Sequence, residues 1–175
     1  MSSYKLTYFP FRGRGELIRL ILHYAKVPFE DNRITLEDWP SLKKSLVGQD
    51  DWEAAQIDAL ADFHKDFGNE TQDYIMILTG RRQGDKETVY KEKFLPAVEK
   101  TFPILIKYLN VAGNGFFFKS GISWVDFFIA NNILRLNALH PELFEKYHEL
   151  KEHCDRVHSL PQIKDYVESR PKTEF

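Results

Sequence analysis

The stretch Ser45-Leu46-Val47-Gly48-Gln49-Asp50-Asp51-Trp52-Glu53-Ala54-Ala55-Gln56 divides the chain into two kinds of sequence. Upstream of it, apolar residues recur with a period of two as well as with the helical period. Downstream only the helical period is found. Gly48 ends one segment, Asp50 is suited to cap a helix, and Glu53 three residues later completes the pattern of a capping box. The join therefore predicts a mixed α/β segment over 1–49 and an all-helical segment over 50–175.

Upstream, residues 4–9 place Tyr4, Leu6 and Tyr8 on one face of a strand and Lys5, Thr7 and Phe9 on the other, and Pro10 stops it. From Gly15 to Ala25 the apolar residues Leu17, Ile18, Leu20, Ile21, Leu22 and Tyr24 cover most of a helix. Arg12, Glu16, Arg19 and His23 form one narrow polar stripe, so the pattern alone predicts a mostly buried helix. Residues 28–34 read as a second strand, with Pro28, Asp31 and Arg33 suited to an edge. A helical crossover of this length makes the two strands parallel. A short helix is expected from about Glu37 to Leu46, with Trp39-Pro40 at its start.

Downstream, Leu60, Phe63, Phe67, Tyr74 and Leu78 form the apolar stripe of a first helix, opposite Asp58, Asp62, Asp66, Asn69 and Asp73. Gly80 to Lys86 breaks it. A second helix is expected from about Thr88 to Leu109, with a bend at Pro96 or Pro103. Shorter helices follow over 123–137, 142–157 and 161–169. Ser123-Trp-Val-Asp126 is a second capping box, and Phe116-Phe117-Phe118 reads as a buried plug. The fold class is thus α+β in two domains, a βαβα unit followed by a helical bundle.

Composition narrows the function. The chain has 175 residues, 43% of them apolar and 14% aromatic, enough for a sizeable core. A net charge of −2 is far from the basic balance of a nucleic-acid-binding domain. Residues 1–49 hold eight Lys/Arg and five Asp/Glu, a local excess that suits a small anionic ligand. One cysteine, Cys154, excludes an intramolecular disulfide, and a start without an apolar region points to the cytoplasm. No apolar run approaches the length of a membrane span.

Several side chains carry candidate chemistry. Tyr8 falls at the C-terminal end of the first strand, just before the Gly13-Arg14-Gly15 turn that opens a helix. A phenol there can donate to an oxyanion or a thiolate, or serve only as an inward-facing aromatic. Arg14, Trp39 and Lys43 offer a guanidinium, an indole donor and an ammonium for a carboxylate. Asp62 and Asp66 share a helix face but form too few ligands for a metal. Cys154 and His158 are four apart with no third ligand at a recognised spacing, and Cys154 reads as a buried cysteine beside surface histidines.

Taken together, Tyr4-Lys-Leu-Thr-Tyr8-Phe, Arg12-Gly-Arg-Gly-Glu16, Asp38-Trp39-Pro40, Trp52-Glu-Ala-Ala-Gln56, Asp58-Ala-Leu-Ala-Asp62, Ser123-Trp-Val-Asp126 and Arg170-Pro-Lys-Thr173 resemble the cytosolic glutathione S-transferases. The likeness is strongest to the sigma-like, nematode type. It implies a thioredoxin-like half that binds glutathione, a helical half that binds a small hydrophobic electrophile, a homodimer, and no metal. By position, Tyr8 is similar to the residue that stabilises the glutathione thiolate, and Arg14 to the one that steadies the site. Trp39 and Lys43 are similar to contacts with the glycyl carboxylate. Gln49 matches a glutathione-binding position, and Asp66 the aspartate that reaches across a dimer to the glutamyl amine. Ser123 and Asp126 match the family's structural N-cap.

The resemblance breaks after Gly48-Gln49. There the family continues with a cis-proline loop, a β-hairpin, a Gln-Ser pair and a further helix, a unit of roughly 25 to 30 residues on ordinary element lengths. Here Asp50-Asp51-Trp52 follows at once. A truncated glutathione site is the expectation, with weakened thiol positioning, weakened dimer contacts and an uncovered face on the first helix. The leading expectation is a glutathione transferase with impaired activity. A glutathione-dependent isomerase or peroxidase would use the same thiolate. A truncated isoform acting as a non-catalytic helical binding protein is the alternative from another class.

Overall fold

The computed structural model describes residues 4–11, 13–38 and 46–170. They belong to two compact units, Met1–Ser45 and Leu46–Phe175. The helix expected from Glu37 to Leu46 falls on residues 39–45, which lie outside the described residues.

In the first unit, β1 (Tyr4–Tyr8), α1 (Gly13–Tyr24) and β2 (Phe29–Arg33) follow one another. The strands pair in parallel with Tyr4 opposite Phe29 and Tyr8 opposite Arg33, as a helical crossover requires. The Ile34 amide extends the ladder by donating to the Tyr8 carbonyl at 3.0 Å, and Ile34 is buried. Among the described residues the sheet has these two strands alone.

That narrow sheet corrects the burial expected for α1. Ile18, Leu20 and Ile21 are 46%, 60% and 56% exposed and Tyr24 is 92% exposed. Arg19, assigned by pattern to the polar stripe, is instead buried at 4% exposed. The inversion has a local cause. Two strands cover only one side of a helix, and the side they cover carries a guanidinium that donates hydrogen bonds from all three of its nitrogens. Its Nε donates to Asp31 at 3.0 and 3.1 Å, and its other nitrogens reach the carbonyls of Phe9 and Phe11 and the Glu16 carboxylate. One side chain thus ties α1 to β2 and to the loop after β1.

The second unit opens with α2 (Asp51–Leu78). Asp50 caps it, its carboxylate accepting the Glu53 amide at 2.7 Å. The reciprocal bond differs from the expected box. Glu53 accepts from the Gln49 amide at 2.7 Å, one residue further back, and also from the Ser120 amide at 3.4 Å. Gly48 explains the shift: at φ 91 it turns the chain so that the Gln49 amide faces the helix end. A Cβ at Gly48 would sit 2.9 Å from the Glu53 carboxylate.

The expected second helix is three pieces: α3 (Lys86–Val89), a π turn (Tyr90–Phe94) and α4 (Leu95–Ala112). In the π turn the Leu95 amide donates to the Tyr90 carbonyl, five residues back. Pro96 follows directly. Its missing N–H and its ring disfavour a regular turn there, and a widened turn absorbs both effects. Pro103 is carried inside α4. The helix ends at Gly113 with φ 71, a left-handed cap suited to glycine.

α5 (Trp124–Leu139) runs through the core, with Val125, Ile129, Ala130, Ile133 and Leu136 buried. The stretch expected to be helical over 142–157 breaks at Tyr147 into α6 (Leu143–Lys146) and α7 (His148–His158), and α8 (Pro161–Ser169) closes the described chain. Of the expected buried plug in the loop after α4, Phe117 and Phe118 are buried, whereas Phe116 is half-buried. At the start of α5 the Asp126 carboxylate, wholly buried, collects four donors. The Ser123 amide and hydroxyl reach it at 2.8 Å each, the Phe117 amide at 3.1 Å and His153 Nε2 at 2.9 Å. This capping pair therefore also anchors a loop and α7.

Candidate functional site

Tyr8 ends β1 and is half-buried. Its ring packs on Gly15, where an added Cβ would clash with it. Phe9 and Phe11 meet the ring edge-on at 5.7 and 5.9 Å, and the Arg19 guanidinium stands 5.9 Å from its centroid. The phenol is therefore fixed against the first turns of α1, where the helix end favours negative charge. Glycine at position 15 is what allows a six-membered ring to lie directly on a helix.

Among the described residues, the Arg19 and Asp31 pair brings charge to the neighbourhood of this ring. The hydrogen bond to Asp31 holds the Arg19 pKa above its ordinary value against the opposing effect of burial. Burial raises the Asp31 pKa, but hydrogen bonds from Arg33 and Arg19 outweigh it and hold the carboxyl below its ordinary value. Both groups are thus charged at neutral pH, with the cation on the side of the Tyr8 ring.

Trp39 and Lys43 lie outside the described residues, as does the side chain of Arg14. Gln49 is exposed, its amide engaged by Glu53. Asp66 is exposed on the outer face of α2, as is Asp62. Tyr8 belongs to the first unit, and Gln49 and Asp66 to the second. Among the described residues no group of three or more His, Cys, Asp or Glu gathers as for a metal ion.

Cys154 is buried in α7, its thiol donating to the Ala130 carbonyl at 3.3 Å. Burial, with the nearby Asp155 adding to it, pushes its pKa up to about 12, so it is a neutral thiol. Its histidine neighbours are not all at the surface as expected. His148 is exposed, but His153 is wholly buried, donating to Asp126 and tilted against the Phe117 ring at 4.4 Å. Its place on α7 beside Cys154 turns it inward, where a carboxylate awaits it.

A further group went unread in the sequence. His64 lies on the apolar face of α2 between Ala61 and Phe67 and is 2% exposed. It packs against Phe67 at 5.6 Å and stands edge-on to Phe128 at 5.4 Å. Burial, together with the charge of Arg135, lowers its pKa to about 4, so the ring is neutral near pH 7. With Asn132 and Arg135 of α5 it lines a cleft of about 400 Å³. The available signal was a histidine at a core position of α2, with Asn132 and Arg135 three apart on α5.

Comparison with known proteins adds a consistent picture. A family model described as "Glutathione S-transferase, C-terminal domain" matches residues 66–170. The chain is similar along its length to the probable glutathione S-transferase 5 of Caenorhabditis elegans, 37% identical over 208 positions with 100% of both chains covered. It is 35% identical over 206 positions to glutathione S-transferase 1 of Ascaris suum, again with 100% of both covered. Among solved structures, a major nematode-specific transferase of C. elegans superposes with a TM-score of 0.71 at 37% identity, covering 100% of each chain.

Proposed function

Because the chain belongs to the glutathione S-transferase family, and to its nematode type, we propose that it joins glutathione to small hydrophobic electrophiles through a Tyr8-centred site that lacks one supersecondary unit. The observation that carries this reading is the pairing of an intact Tyr8 seat with a sheet of two strands. The phenol rests on Gly15 at the head of α1, and the opposite side of that helix is exposed. Length supports it further: the alignment with the C. elegans relative runs over 208 positions against 175 residues here, a difference of 33. We assign that difference to the point after Gly48-Gln49.

In this reading the Tyr8 hydroxyl donates to the sulfur of glutathione and favours the thiolate, the nucleophile that attacks the electrophile. Arg14 steadies that site, while Trp39 and Lys43 hold the glycyl carboxylate. Gln49 contributes a further contact, and Asp66 meets the glutamyl amine of glutathione held by a second copy. Groups that would pair with the cysteinyl backbone and the γ-glutamyl carboxylate fall in the missing unit. Loss of two such bonds to a charged ligand weakens binding by roughly a hundredfold or more. The family's homodimer is weakened for the same reason, since part of its contact surface is lost.

Conjugation of a chloronitrobenzene at millimolar glutathione tests the proposal, alongside retention on immobilised glutathione. The expected result is poor retention with slow, saturable conjugation that Tyr8→Phe removes. Turnover unchanged in Tyr8→Phe, or none at all from a folded chain, would overturn it.

A further inference from the structure

The sheet of the first unit has one guarded edge and one open edge. β2 forms the guarded side: Pro28 precedes it, and Glu30, Asp31 and Arg33 fall along it. β1 contains no proline, and its one charge, Lys5, is taken up across the sheet by Glu30 at 2.7 Å. In a parallel ladder the amide and carbonyl of one residue point to the same neighbouring strand, and those of the next residue point the opposite way. The Tyr8 carbonyl accepts from the Ile34 amide, so Tyr4, Leu6 and Tyr8 turn theirs toward β2. Lys5 and Thr7 therefore turn their amides and carbonyls to the other edge, where no strand of the described residues lies. Both residues are exposed, and Tyr4 beside them is 54% exposed. A sheet of two strands is marginal in water and is stabilised by each strand added to it.

We propose that this edge pairs with the same edge of a second copy of the chain, antiparallel and centred on Leu6, so that the two small sheets become one. The strand is self-complementary in that register. Lys5 and Thr7 of one copy meet Thr7 and Lys5 of the other and exchange amide-to-carbonyl bonds at both places, while Leu6 faces Leu6 on the two-fold axis. Tyr4 of each copy comes opposite Tyr8 of the other, an aromatic cross-strand pair that covers the exposed ring and sets a second aromatic beside the Tyr8 seat. No like charges stand directly opposite, because Lys5 faces a threonine. Sliding the pairing by two residues one way would set Lys5 against Lys5, and the other way would set Tyr4 against Pro10, beyond the end of β1. This symmetry is what favours a copy of the same chain over an unrelated strand: one contact closes both open edges and leaves only the guarded ones outside.

Disulfide trapping of the full chain tests it. Leu6 holds a non-hydrogen-bonded position in the proposed pair, where opposed Cα atoms lie about 4.5 Å apart and a disulfide can close. Cys154 is buried and does not compete. After mild oxidation of the folded protein, Leu6→Cys is expected to form a covalent dimer about tenfold faster or more than Asn32→Cys, which lies on β2 away from the axis. Thr7→Lys and Thr7→Glu, at an exposed position, read the same pairing without a cross-link. The lysine would face Lys5 of the second copy and should weaken association by about tenfold in sedimentation equilibrium, whereas the glutamate should tighten it by about the same factor. Absence of the Leu6→Cys cross-link, equal rates at both positions, or a dimer of the same strength in Thr7→Lys and Thr7→Glu would overturn the proposal. None of these measurements contains glutathione, so a failure of the glutathione reading leaves them untouched.

Discussion

Replacing Asp126 by alanine removes an acceptor on which three parts of the helical unit depend. The carboxylate is wholly buried and takes hydrogen bonds from the Ser123 amide and hydroxyl, the Phe117 amide and His153 Nε2. Loss of a capping interaction costs about 1 kcal/mol. The Phe117 amide and the His153 ring would then be left buried without a partner, at about 1 to 3 kcal/mol each. The total is about 3 to 7 kcal/mol, a large share of the stability of an ordinary domain. With a urea slope of about 2 kcal/mol per molar, the unfolding midpoint should fall by roughly 1.5 to 3.5 M. Asp126→Asn keeps one oxygen and should cost about half as much, because an amide NH2 facing two donors cannot accept from them. Ser123→Ala should cost about 1 kcal/mol. Far-UV circular dichroism in urea measures all three variants. A change under about 1 kcal/mol in Asp126→Ala would refute the reasoning, since it would mean that burying the charge offsets everything its bonds contribute.

Three further outcomes are expected. His64 has a folded pKa of about 4 against an ordinary 6.5, so the unfolded chain binds the extra proton first and stability falls as pH drops from 6.5 towards 4. The loss is on the order of 3 kcal/mol, and the gap between the unmodified chain and His64→Gln should shrink over that window in urea melts at successive pH values. Cys154, with its pKa pushed up to about 12, should resist a thiol-disulfide reagent at pH 8 and react fully in denaturant, which absorbance of the released thiolate reports. Fast labelling of the folded chain would contradict its burial. Gly48→Ala forces a side chain into φ 91 against Glu53 and should destabilise the helical unit by about 2 kcal/mol. A neutral effect in the same urea assay would place the strain elsewhere.

Much of the fold could be read from local signals. Asp50 caps α2, Ser123 and Asp126 cap α5, and the parallel pairing of β1 with β2 follows from a helical crossover. What misled was burial, because periodicity shows which residues share a face and is silent on what covers that face. Arg19 and Ile21 of α1 exchange their expected roles for this reason: the sheet covers the side with the guanidinium and leaves the aliphatic side open. His153 and His64 were obscured by the same gap. A histidine on a helix looks the same in sequence whether it meets solvent, a buried carboxylate or a cleft. The π turn was signalled only as a bend, since Pro96 says that a regular turn must yield without saying how.

The turn at Gly48 has a consequence for how far the helical unit depends on the residues before it. Among the described residues, the hydrogen bonds that hold the start of α2 lie at or beyond Leu46: the Asp50 cap, the grip of Glu53 on the Gln49 and Ser120 amides, and the Trp124 amide donating to the Leu46 carbonyl at 2.9 Å. The helical unit carries its own clasp. Removal of residues that precede Leu46 leaves every bond of that clasp in place, so the start of α2 is expected to stay wound when the first unit is cut away.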